Sequence, residues 1–110
     1  MNKKIFVATI DWIKTNKTGE IIIPLNYPRY SPQISVEGEY VVNGSSWSVF
    51  CYNFEMIGPN RTKSLVKYLN QDSAPDNLKI GTSFSLHEMG KVVASGKIID
   101  ISKIDFNIKQ

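Results

Sequence analysis

Between Ile5 and Ile13 the chain reads Ile-Phe-Val-Ala-Thr-Ile-Asp-Trp-Ile, and the side-chain pattern repeats every two residues. One parity carries Phe6, Ala8, Ile10 and Trp12; the other carries Ile5, Val7, Thr9 and Asp11. Apolar residues on both parities suit a strand covered on both sides, or one curled into a small barrel.

The same period recurs along the chain. Asn16 to Gly19 reads as a turn, and Ile21 to Ile23 as a short buried strand stopped by Pro24. Pro24, Pro28 and Pro32 fall within nine residues, which forbids a helix and breaks any ladder, so this segment is an ordered, aromatic-rich loop. Gln33 to Val42 is a second long strand, Asn43-Gly44 a hairpin turn, and Trp47 to Ile57 its partner. After the turn at Gly58 to Asn60, the segment Arg61 to Gln71 fits both periods. Leu65, Tyr68 and Leu69 match a helix with Asn60 or Thr62 as its cap; Val66 and Tyr68 against Leu65 and Leu69 match a strand. Asp72 to Asn77 is a loop. Ile80 to Glu88 alternates again, Met89-Gly90 is a two-residue turn, and Lys91 to Ile101 is the return strand. A polar tail, about 103–110, is expected to fray. Seven or so strands with closely spaced turns describe a barrel or sandwich.

The chain has 110 residues, which is one domain, 1–110, able to hide roughly 65% of its unfolded surface. With 42% apolar and 21% charged residues, a folded globule is expected rather than disorder. A net charge of +3 permits an anionic partner without demanding one. Cys51 is the only cysteine, flanked by Phe50 and Tyr52, and reads as a buried inert thiol. Met1 to Ala8 opens like a signal peptide, but Asp11, Lys14 and Lys17 interrupt it. No stretch approaches the ~20 apolar residues of a membrane span, so a cytoplasmic protein that does not enter a membrane is expected.

No arrangement for catalysis stands out. His87 is the only histidine and has no Cys/His cluster to join, so no metal site is expected. No serine sits in a nucleophile elbow, and no phosphate-binding glycine loop is present, so no nucleotide or other cofactor is expected. Glu37 and Glu39 share a strand face, most simply as solvated charges. What remains points to binding by a non-enzyme. Tyr27, Arg29, Tyr30 and Gln33 cluster on the proline loop, residue types that anchor protein interfaces or stack on nucleic acid. Arg61, Lys63 and Lys67 would share one strand face and can meet a charged partner. The structural alternative is that the tyrosines plug a barrel mouth and the cations are a solvated edge.

The segment Gly81 to Ile99 resembles the terminal hairpin of the third, C-terminal barrel domain of translation elongation factor Tu. The matching positions are Gly81, Phe84, Leu86, Glu88, Gly90, Lys91, Val93 and Gly96. Pro24 together with Tyr30-Ser31-Pro32-Gln33-Ile34 resembles that family's proline and aromatic loop. Phe6 to Ile10 and Thr18-Gly19 resemble its opening strand and turn. The matches run in order across most of residues 4–101. The resemblance implies an all-β fold, a small closed six-stranded antiparallel Greek-key barrel, and favours a strand for 62–70. It also implies RNA-facing positions at Gln33, Glu88, Met89 and Gly90. Where the family has Gly-Gly this chain has Met89-Gly90, and where a basic residue follows the first turn it has Glu20. The 110 residues hold no counterpart of the family's GTPase domain, so a barrel acting without it is expected. Two functions are therefore expected. The first is a stand-alone, non-catalytic module in the bacterial cytoplasm that binds another protein, with an immunity protein occluding a cognate toxin as one form. The alternative is a tRNA- or RNA-binding accessory module.

Overall fold

A computed structural model of the chain describes residues 4–24, 26, 29–37 and 47–103. Its elements are β1 (Ile5–Trp12), β2 (Gln33–Val36), β3 (Trp47–Met56), β4 (Arg61–Tyr68), β5 (Ser83–Glu88) and β6 (Lys91–Ser102). They close into a six-stranded antiparallel barrel in the order β1-β4-β3-β2-β5-β6. Strands β2, β3 and β4 follow one another side by side, and β1 lies against β4, which is a Greek key. β2 meets β3 at only two register pairs, Gln33 with Ser48 and Ile34 with Trp47; further along that edge the Val49 N–H donates to the Pro32 carbonyl and the Asn53 N–H to Asn26 Oδ1.

The parity of β1 decides what is inside. Phe6, Ala8, Ile10 and Trp12 point into the core; Val7, Thr9 and Asp11 face out. Val49 and Cys51 of β3, Val66 and Tyr68 of β4, Phe84 and Leu86 of β5, and Ala94 and Ile98 of β6 complete the filling. Burying one Leu- or Ile-sized side chain contributes about 1.5–3 kcal/mol. A polar network runs inside: the Trp12 indole N–H donates to Thr62 Oγ1 at 2.9 Å, and Thr62 and Ser64 both donate to Asn53 Oδ1, while the Asn53 amide nitrogen is buried without a partner among the described residues.

Among the described residues, both ends of the barrel carry connecting segments. Ile23 and Tyr30 pack against the core at the end where β1 finishes, and Ala74 and buried Leu78, from the 69–82 connection, pack at the opposite end. The β3–β4 turn, the β5–β6 turn and the start of β2 share the first of these ends. The β5–β6 turn has positive φ at both Met89 (50°) and Gly90 (81°), with Glu88 opposite Lys91. That is a two-residue type I′ turn, whose twist matches the flanking strands.

Three bulges interrupt the ladders and leave Phe54 of β3, and Val93 and Ile99 of β6, without a cross-strand partner. A bulge bends its strand and re-aims a side chain.

Several expectations change. Arg61 to Tyr68 is a strand, held by registers to both β1 and β3. Ile21 to Ile23 is not: only Ile21 forms a bridge, to Thr15, and Ile21 is exposed. The Asn16 carboxamide organises a local turn there, accepting from the N–H groups of Thr18 and Glu20, and Pro24 has no donor with which to extend a ladder. Strand β2 ends at Val36, and its expected continuation through 38–42 lies outside the described residues, as do the Asn43-Gly44 turn and the tail beyond 103. Strand β5 begins at Ser83, because Lys79 to Thr82 forms a turn.

Candidate protein-binding surface

The residues singled out in the sequence fall on two parts of the barrel. Arg29 and Gln33 are exposed at the end where β1 finishes. Gln33 is in register with His87, which brings it beside the Glu88-Met89-Gly90 turn. The proline loop and the implied RNA-facing set therefore meet at one mouth. Tyr27 lies outside the described residues.

Tyr30 turns inward at this mouth. Its ring meets Trp12 edge-on, centroids 6.1 Å apart, and packs against the core. Its hydroxyl is buried. Burial first, and then the nearby Glu88 carboxylate, hold this phenol well above its ordinary value; the carboxylate is near without meeting the geometry of a hydrogen bond. Glu88 grips Lys14 at 2.6 and 2.7 Å, and Lys14 also lies 5.6 Å from the Tyr30 ring centre. Burial by itself would push the Glu88 carboxyl up. Lys14, the Tyr30 hydroxyl and the charge of Lys91 outweigh it, so the net shift is downward. The mouth is thus a latch joining the end of β1, the proline loop and the last hairpin.

The three cations of β4 do share a parity, but their surroundings differ. Arg61 is taken by Asp11, with Nε at 2.6 Å from the carboxylate. Lys67 is only 7% exposed and lies over the Phe50 ring at 5.4 Å. Lys63 forms no ion pair among the described residues.

Lys63 borders a surface that residue-by-residue reading misses. Across the outside of β3, β4, β1 and β6, Tyr52 is in register with Leu65, Leu65 with Val7, and Val7 with Asp100. Two bulge residues, Phe54 and Ile99, flank this row and remain 44% and 40% exposed. Together they line a groove of about 420 Å³, with Lys63 and Asp100 at its margins. Two of the three bulges, those at Phe54 and Ile99, thus place an apolar side chain on the same groove, while the third leaves Val93 in the core. Covering the exposed remainder of such side chains is worth on the order of 1 kcal/mol each.

The other flank of the barrel shows what an ordinary solvated face looks like in this chain. Outward positions on β2, β5 and the first half of β6 are Gln33, Ser35, Ser83, Ser85, His87, Ser95 and Lys97, with exposed Val92 the one apolar side chain among them. Ser85 Oγ and His87 Nε2 are 2.9 Å apart there. Among the described residues, no group of three or more His, Cys, Asp or Glu is placed to hold a metal ion. No helix of the described residues is long and apolar enough to cross a membrane.

No protein-family model and no curated protein matches the chain. The fold and the surface together define a small closed antiparallel barrel with one polar and one apolar outer flank.

Proposed function

We propose that this barrel is a non-catalytic protein-binding module of the elongation factor Tu C-terminal-domain type, acting in the cytoplasm through its apolar outer flank. The observation that carries this reading is the contrast between the flanks. A chain that dresses β2 and β5 in serine, glutamine and histidine leaves Tyr52, Phe54, Leu65 and Ile99 facing outward on the opposite side. Contiguous exposed apolar surface rimmed by charge marks an interaction site. Tyr52 is of a residue type enriched where binding energy concentrates, and the apolar side chains around it can exclude water. An immunity protein that occludes a toxin is the form this module takes if the partner is a toxin.

A second reading, an RNA-binding accessory module, is favoured by one observation: Gln33 and the Glu88-Met89-Gly90 turn converge at the mouth. Against it, the Glu88 carboxylate there repels phosphate.

Capture with tagged protein from its own cytoplasm, washed at low and then high salt, separates the two. The protein-binding reading predicts one protein retained at high salt and lost with Leu65→Asp. RNA retained at low salt and released at high salt, through counterion uptake, would replace it with the second reading.

A further inference from the structure

We propose that the apolar groove is filled by a second copy of this chain, as a two-fold dimer in which Lys63 of each copy meets Asp100 of the other. This rests on the reading of the groove as a protein-binding surface and names its occupant.

The charges carry the argument. Lys63 and Asp100 stand on β4 and β6, on either side of β1, with Thr9 opposite Lys63 and Val7 opposite Asp100. Two strand spacings and a two-residue offset separate their Cα atoms by about 12 Å. Neither is in an ion pair among the described residues, although Glu55 is in register with Lys63. One Asp100 oxygen accepts the Ile101 N–H at 2.8 Å, which orients the carboxylate and leaves its second oxygen available. The groove thus offers one cation and one anion across an apolar floor.

That pattern is self-complementary. An isologous interface requires that the same patch serve as both lock and key. A two-fold axis lying in the contact plane, crossing β1 midway between Lys63 and Asp100, sets each lysine on the other copy's aspartate. It also lays Leu65 of one copy near Val7 of the other. A purely acidic or purely basic partner segment would satisfy one margin and strand the other. The apolar row spans four strands, about 15 Å. This is narrower than the ~800 Å² per partner of a standard interface would need, so dissociation in the micromolar range is expected.

Sedimentation equilibrium from about 10 μM to about 1 mM is the test. The wild-type chain should dimerise. Lys63→Glu and Asp100→Lys, each of which sets like charges together twice, should weaken it at least about tenfold. Mixed in equal amounts, the two defective variants should pair with each other, because each supplies the charge the other lacks. The double variant should dimerise alone. Circular dichroism checks that all remain folded. A wild-type chain monomeric throughout, a dimer indifferent to both single substitutions, or a mixture no better than its components would each overturn the proposal. A monomer that still captures a foreign protein through Leu65 would sink the dimer while leaving the protein-binding reading intact.

Discussion

Substituting Gly96 by alanine tests how tightly the barrel is closed between β5, β6 and β1. A Cβ at this position lies 2.5 Å from Phe84 Cζ, 2.9 Å from Phe84 Cε1 and 2.8 Å from the Thr9 carbonyl oxygen. Gly96 is in register with Phe84 on one side and Ile10 on the other, so the ring covers the glycine across the strand pair. The ring is 3% exposed and cannot swing into solvent. The carbonyl belongs to the β1 backbone and cannot move without disturbing the ladder. Overpacking a core costs typically 1–3 kcal/mol, and two neighbours with little room to yield put this case near the upper end. Removing a glycine from the unfolded chain returns about 0.4–1 kcal/mol. The net loss is therefore about 2 kcal/mol. Urea unfolding followed by tryptophan fluorescence reads it as a fall in midpoint of about 1–2 M at unchanged slope. In a Phe84→Leu background the ring contacts disappear but the Thr9 oxygen remains. The cost of Gly96→Ala should then shrink by about 1 kcal/mol without vanishing. A Gly96→Ala variant within 0.5 kcal/mol of wild type, or a cost that Phe84→Leu leaves unchanged, would refute the reasoning.

Glu88→Gln should lower stability at neutral pH by about 1 kcal/mol, an exposed-pair value appropriate to the half-open Lys14 latch. Because the folded-state pKa of Glu88 lies below its ordinary value of 4.5, this contribution is fully present above that value. It is lost as the pH falls through the depressed value, so wild-type and variant unfolding curves should converge in acid. Met89→Asn should stabilise by about 1 kcal/mol in the same urea assay. The native φ of 50° is left-handed and the side chain is fully exposed, so strain is relieved and no packing is lost. Cys51 is 1% exposed and burial pushes its pKa up to about 12. A thiol reagent at pH 8 should label it only as fast as the barrel unfolds, with the rate rising steeply in urea.

Much of the barrel could be read from alternation because inward residues must be apolar wherever a strand meets the core. The parity holding Phe6, Ala8, Ile10 and Trp12 is the buried one, and the Met89-Gly90 turn sits where its residues suggest. The ambiguity at Arg61 to Tyr68 is resolved by partners on both sides, which no local pattern contains. The isoleucines at 21–23 misled because their hydrophobicity speaks for burial, while Asn16 and Pro24 decide the backbone. Of the candidate site, Lys63 was visible but its neighbours were not. The groove exists because β3, β4, β1 and β6 become adjacent in an order unlike that of the chain, and because bulges push out Phe54 and Ile99. Tyr30 fits a partner anchor and a plug equally well in sequence; only its contact with Trp12 places it inward.

The most direct test of the apolar flank as the binding surface is photo-crosslinking in cells, with a benzophenone side chain at position 65 compared with one at position 85. Leu65 lies in the apolar row and Ser85 on the serine-rich flank. A discrete protein adduct from position 65, homotypic or foreign, with none from position 85 is the predicted result. An adduct from position 85 alone, or none from either, would contradict it.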